Sequence, residues 1–283
     1  MTDLNIARVM SLSGRVGLVT GGGTGIGLTI AKAFAANGVK VYITGRRLDV
    51  LEKAAASVTG VPGSVVPWMR QMKKASRLAQ STSKESMESS ISLSTMPDFP
   101  ASAHDPDFFT KKYAAEDPFE PETVQNWADI FAINTIAPFF VVHAFQSLLI
   151  KGARSRPQGT SSVINISACN SKVQHFSALY LAYSSTKAAL EKLTLVLGTS
   201  FAERNIPIRV NVLAPGVFAS DVTSTEFLEL LKTKPLPGMT AAVPAKRHGT
   251  EAEMGMTAVY LAASDYTNGT ILSIDGGISL VTP

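Results

Sequence analysis

The sequence predicts an α/β protein built on one doubly wound parallel sheet in three layers, α/β/α. Three observations carry that expectation. Short, almost continuously apolar runs such as residues 16–19, 162–167 and 208–213 are what strands covered on both faces require. Between them lie stretches with helical apolar spacing, so strand and helix alternate along the chain. The first such unit closes by residue 44: an apolar run ends in the glycine-rich stretch 21–27, a helix follows, Asn37-Gly38 stops it, and residues 39–44 form a second strand.

Taken in order, Gly21, Gly25 and Gly27 remove side chains that would keep a pyrophosphate off the backbone. The amides and positive end of the next helix can then receive its charge. The strict G-x-G-x-x-G spacing is absent, and the same glycines would also serve a plain tight turn. Residues 48–55 are rich in helix formers, Gly60 to Gly63 break the pattern, and residues 64–66 read as a short third strand. From 67 to 121 periodicity deteriorates; the best strand there is 91–96, alternating but weakly apolar. Residues 122–149 are predicted as one long apolar helix, 151–159 as a polar loop and 180–203 as a helix. The strand at 208–213 ends in Ala214-Pro215-Gly216; a helix over 250–263 and a strand over 270–274 close the sheet.

At 283 residues, 45% hydrophobic and 17% charged, the chain can bury one large core, and residues 1–283 are expected to form a single domain. A formal charge of +4 without an aromatic-interleaved basic groove argues against nucleic acid. The cluster Arg70, Lys73, Lys74 and Arg77 reads as a solvated helix face. The single cysteine, Cys169, excludes an internal disulfide, offers no metal cluster and suits a reducing, cytoplasmic setting. The first residues lack a charged segment followed by an apolar core, so no signal peptide is expected. The most apolar run, 136–150, contains Pro138, His143 and Gln146; it reads as a buried helix, too short and polar for a bilayer span.

Tyr183 and Lys187 stand four apart in the helix after the fifth strand, on one face. An adjacent ammonium favours a phenolate and brings a phenol of pKa about 10 toward the working range. By itself, the pair is also what an ordinary amphipathic helix could carry. With Thr20-Gly21-x-x-x-Gly25-Ile26-Gly27, Asn134, Pro215-Gly216 and Asp275-Gly276-Gly277, however, it resembles the short-chain dehydrogenase/reductase family. The texture is similar to fungal 3-oxoacyl-carrier-protein reductases and secondary-metabolism ketoreductases. The likeness covers residues 12–66 and 118–280. It implies a Rossmann-type fold, with Tyr183 as general acid toward a carbonyl oxygen. Lys187 would tune the phenol and hold the nicotinamide ribose, and Asn134 would hold a water that returns the proton. Gly21, Thr24, Gly25, Ile26, Gly27, Arg46, Pro215, Gly216 and Val217 would lie along the cofactor with Asn134, Tyr183 and Lys187.

Where the resemblance expects an acid for an adenosine ribose the chain has Gly45, followed by Arg46, whose planar fork suits a 2′-phosphate; NADP(H) is the expected cofactor, with Arg47 as an assistant. Three departures stand out. The family's Asn-Asn-Ala-Gly turn has no match between 67 and 121, and no aspartate marks the adenine neighbourhood at 80–85. The catalytic serine's position is Ala168, flanked by Ser167, expected to face away, and Ser171, which could return in the loop. Two functions therefore stand: a ketoreductase acting on a small carbonyl or alcohol substrate, or an altered member serving as a nucleotide-binding or interaction protein. The apolar helices 127–149 and 181–197 point to a homodimer or homotetramer.

Overall fold

The computed structural model describes residues 4–68, 91–95, 122–156, 159–174, 181–219, 228–229, 235 and 241–282, of which 91–95 are described as backbone only. A short helix α1 (Ile6–Val9) precedes β1 (Val16–Thr20), α2 (Gly25–Ala36), β2 (Lys40–Thr44), α3 (Leu48–Ala56), β3 (Ser64–Pro67) and β4 (Ile91–Thr95). Then come α4 (Val124–Phe131), a π turn (Ala132–Ile136), α5 (Ala137–Arg154), β5 (Ser161–Ile166) and a 3-10 turn (Cys169–Ser171). The chain closes with α6 (Leu181–Glu203), β6 (Ile208–Pro215), α7 (Glu251–Ala263), β7 (Ile271–Ile274) and α8 (Ile278–Val281).

The strands form one sheet in the order β3-β2-β1-β4-β5-β6-β7, every pair parallel. The order reverses direction between β1 and β4, the place where doubly wound sheets open a ligand crevice at their carboxyl ends. Alternate side chains feed the two outer layers. Val19, Ile164 and Ile166 join Phe34 of α2 and Met254 of α7 in one core, while Leu18, Val163 and Val210 join Phe145 and Leu149 of α5 in the other. Serines on β5 are satisfied by helix carbonyls: Ser161 Oγ donates to Leu149 O at 2.6 Å and Ser162 Oγ to Leu261 O at 3.0 Å.

The weakly apolar segment expected at 91–96 fills the central position. Its residues pair with β1 from Val16↔Ile91 to Thr20↔Thr95 and with β5 from Ser92↔Ser162 to Thr95↔Asn165. A backbone ladder on both sides places the strand where its side-chain pattern alone does not. The expected missing centre is thus occupied as far as Thr95. The turn after it, the adenine-side stretch 80–85 and the basic cluster at 70–77 lie outside the described residues.

Two boundaries differ from expectation. The predicted helix over 122–149 is interrupted by the π turn and continues to Arg154, so the polar loop begins four residues later. By length and composition, the 31-residue run Val124–Arg154 would pass for a membrane span, which removes the argument from a 15-residue stretch. The run instead lies on β4, β5 and β6. It is also only partly buried: Ile133, Ile136, Phe139 and Phe140 are exposed.

Candidate active site at the carboxyl ends of the central strands

Tyr183 and Lys187 lie on the sheet-facing side of α6, 3% and 0% exposed. One helical turn separates them, and Lys187 Nζ sits 5.4 Å from the Tyr183 ring centroid. The ammonium donates a 2.8 Å hydrogen bond to the carbonyl of Ile166, the last residue of β5, so the lysine is tied to the carboxyl edge of the sheet. Burial pulls the Lys187 pKa well below its ordinary value, and the Glu191 carboxylate opposes that pull. A buried lysine under such opposing influences is the kind of group that marks reactive sites.

Asn134 reaches the same place from the opposite helix. It is buried at the centre of the π turn, and its Nδ2 donates to Thr186 Oγ1 at 3.1 Å. Thr186 in turn donates to the carbonyl of Tyr183 at 2.6 Å. Thr135 Oγ1 adds a 3.0 Å bond to Thr186 O. The wider turn breaks the regular i→i−4 ladder at this residue, a local feature that recurs at functional sites. Sequence spacing did not reveal it, because residues 124–154 carry good helical periodicity throughout.

Ala168 follows β5 in extended backbone (φ −158°, ψ 160°) and is buried. Ser167 faces away, as strand alternation requires, and donates to Glu191 Oε1 at 2.8 Å. Ser171 does not return toward the tyrosine: its hydroxyl engages Glu191 Oε1 at 2.5 Å and the Ala168 carbonyl at 2.9 Å. Glu191, buried one turn beyond Lys187, is the residue here that sequence reasoning missed. Its sole sequence signal was an acid one turn beyond Lys187, on the face that Tyr183 and Lys187 share.

The glycine loop and the segment after β6 frame the other half of the site. Gly21 and Gly25 adopt positive φ, +67° and +51°, conformations that side chains disfavour. Thr24 caps α2 in position but makes no side-chain cap bond, and the first turn carries no acid. Thr123 of α4 and Thr250 of α7 do cap their helices. The leading amides of α2 are therefore left to serve an anion. Gly27 is buried within the helix. A cavity of about 260 Å³ runs from Ile26 and Thr29 to Phe218, Ala219 and Thr250. Gly216 is required by close approach: a Cβ there would stand 2.6 Å from Asp275 Cα, so Pro215-Gly216 and Asp275-Gly276-Gly277 are one contact. Val217 O accepts from Gly249 N at 2.9 Å. Arg46 is exposed just beyond β2. Most of residues 220–240 lie outside the described residues. The glycine-loop donors, the helix start without a side-chain cap and the exposed guanidinium fit a dinucleotide laid across the switch point.

Known proteins match along the same frame. A family model described as short chain dehydrogenase matches residues 15–93, and one described as Enoyl-(Acyl carrier protein) reductase matches residues 102–279. The chain is 32% identical to the short-chain dehydrogenase/reductase VdtF of Byssochlamys spectabilis, over 97% of this chain and 95% of that protein. It is 29% identical to PhomF of Diaporthe leptostromiformis, over 99% and 97%. The Pseudomonas aeruginosa RhlG/NADP active-site complex superposes with a TM-score of 0.75 at 26% identity, covering 96% of this chain and 98% of that one. Because the likeness runs nearly end to end, through both the loop after β1 and the helix of Tyr183, the chain belongs to the short-chain dehydrogenase/reductase family of oxidoreductases.

Proposed function

We propose that the protein is an NADP(H)-dependent oxidoreductase that reduces a ketone, of 3-oxoacyl or secondary-metabolite kind, to the alcohol. The observation that carries the reading is the buried Lys187 ammonium beside the Tyr183 ring, anchored to the end of β5. In that setting, Tyr183 gives its proton to the carbonyl oxygen while Lys187 stabilises the phenolate left behind. Asn134, fixed through Thr186, holds the water that restores the proton. Bound NADP(H) supplies the hydride. The residues proposed to hold it are Gly21, Thr24, Gly25, Ile26, Gly27, Pro215, Gly216 and Val217, with Arg46 toward the 2′-phosphate. The RhlG neighbour, described as an NADP complex, and the fungal relatives VdtF and PhomF support cofactor and setting.

The sheet joins the strands of both halves of the chain through the β4–β5 pair, which supports reading residues 1–283 as one domain. The proposal is a cytoplasmic homodimer or homotetramer acting on small molecules, with no part for nucleic acid, membrane or metal. A second reading, an altered member with weak catalysis, rests on Ala168 and on the engagement of both neighbouring serines with Glu191. Turnover decides between them. NADPH oxidation is to be followed with a panel of ketones and 3-oxoacyl thioesters, alongside NADPH binding by fluorescence. Tyr183→Phe should abolish turnover and leave NADPH affinity nearly intact; a wild-type rate in that variant would overturn the assignment.

A further inference from the structure

We propose that Thr186 is a positioning residue of the site: its hydroxyl orients the Asn134 amide against the turn of α6 that carries Tyr183 and Lys187. This rests on the reading of Asn134 as the residue that holds the proton-returning water, and it adds the group that decides which way that amide faces.

Two adjacent residues of the π turn converge on Thr186. Asn134 Nδ2 donates to its hydroxyl at 3.1 Å, and Thr135 Oγ1 donates to its carbonyl at 3.0 Å. The Thr186 hydroxyl in turn donates to Tyr183 O at 2.6 Å, a bond back into its own helix. Asn134 and Thr186 are 1% and 0% exposed, so these bonds are made in the interior, where losing a partner is costly. On the other side of the same turn, Lys187 Nζ donates to Ile166 O at 2.8 Å. Neighbouring residues of α6 thus fasten the turn of Tyr183 to two elements, Lys187 to β5 and Thr186 to the π turn.

A threonine hydroxyl has one proton to give. Because that proton goes to Tyr183 O, Thr186 offers Asn134 lone pairs alone, and only the amide nitrogen can meet them. The amide oxygen is then turned away from Thr186, which fixes the atom that Asn134 presents on its other side. Take the hydroxyl away and the contact no longer selects one orientation. Valine has the shape of threonine and would fill the space without that selection, whereas serine would keep it. Packing and positioning are therefore separable at this residue.

Two measurements on the full-length protein test the role, one of them without substrate. In cofactor-free protein carrying 15N-labelled asparagine, the Asn134 side-chain amide is assigned by its loss in Asn134→Ala, and its exchange with solvent is followed by NMR. Thr186→Val is expected to speed that exchange about tenfold, the factor that one hydrogen bond of ordinary net strength is worth; Thr186→Ser should leave it slow. With a ketone turned over by NADPH, Thr186→Val should lower kcat about tenfold, inside the about 10²-fold that a 1 Å misplacement costs, and leave KM for the ketone in place. Thr186→Ser should restore most of the rate. In an Asn134→Ala background Thr186→Val should cost nothing further, because the group it orients is gone. Amide exchange unmoved by Thr186→Val, a serine variant as impaired as the valine one, or kcat losses that multiply in the double variant would overturn the proposal. Thr186→Ala is a second variant without the hydroxyl; failure of both it and Thr186→Val to fold would make the hydroxyl purely structural and overturn the proposal as well. A wild-type rate in Tyr183→Phe would defeat the catalytic reading, while the amide exchange would still report on Thr186.

Discussion

Arg46 stands exposed beyond β2 next to Gly45, where a Cβ would meet the Leu51 side chain at an ordinary 3.4 Å. A Cβ is therefore admitted at Gly45, and the proposed NADP(H) preference rests on the Arg46 guanidinium as a partner for a 2′-phosphate. Arg46→Ala is expected to erode the preference for NADPH over NADH by about 1.5–3 kcal/mol, the range for a hydrogen bond to a charged group. The ratio of the two dissociation constants measures it; equal binding by the unmutated protein would contradict the cofactor reading. Ala168 offers a second test. Its extended backbone suits any residue, so serine enters without strain and adds a donor for the substrate carbonyl. Ala168→Ser should raise kcat by up to about 10²–10³, the converse of deleting one oxyanion donor. An unchanged kcat would show that the site already holds the carbonyl by other means.

The carboxyl end of α7 is held by guanidinium groups from two strands' starting ends. Arg209 Nη1 donates to Leu261 O and Thr267 O at 3.0 and 2.9 Å, its Nη2 to Ala262 O at 3.1 Å, and Arg15 adds a 2.8 Å bond to Ala262 O. Cations at a helix carboxyl end complement its dipole. Burial lowers both arginine pKa values to about 10, so both stay charged near neutrality, and Asp265 is their counter-charge. Its own burial raises the Asp265 pKa, but hydrogen bonds from Thr160 and Arg156 outweigh that and leave it below the usual value. A depressed carboxylate stabilises the fold above its unfolded pKa, about 3.9, and that stability is lost as pH falls through the lower folded value. Asp265→Asn should lower Tm at neutral pH and flatten its fall below about pH 4. Circular dichroism melts across the acid range check this; an acid limb as steep as in the wild type would refute it.

Among the described residues, several exposed apolar side chains lie on the α4–α5 run and on α6. Ile136 and Phe140 of the α4–α5 run are 50% and 59% exposed, and Val196 on α6 is 51% exposed. Phe139 and Phe140 pack edge to face at 5.2 Å. Exposed apolar area of this kind marks an interaction surface, and a second copy of the chain would cover it by two-fold symmetry. The protein is expected to run as a dimer or tetramer in light scattering, with Phe140→Glu shifting it toward monomer. A monomeric wild type at micromolar concentration would leave these helices as merely solvated.

By itself, the sequence determined whatever depends on neighbours along the chain. The apolar runs of β1, β5 and β6, the glycine loop leading into α2, and the four-residue spacing of Tyr183 and Lys187 were legible because strand alternation and helix periodicity are local. Tertiary structure alone decided the rest. Residues 91–95 carry too few apolar side chains to announce a central strand, and two backbone ladders, to β1 and β5, place them there. The π turn at Asn134 leaves helical periodicity intact, while the bond it serves joins residues 52 apart. Ser171 and Glu191 meet across 20 residues, and Gly216 must be glycine because Asp275 arrives from β7. Such contacts follow from which elements pack together, and that choice is made by burial and hydrogen-bond satisfaction over the whole core.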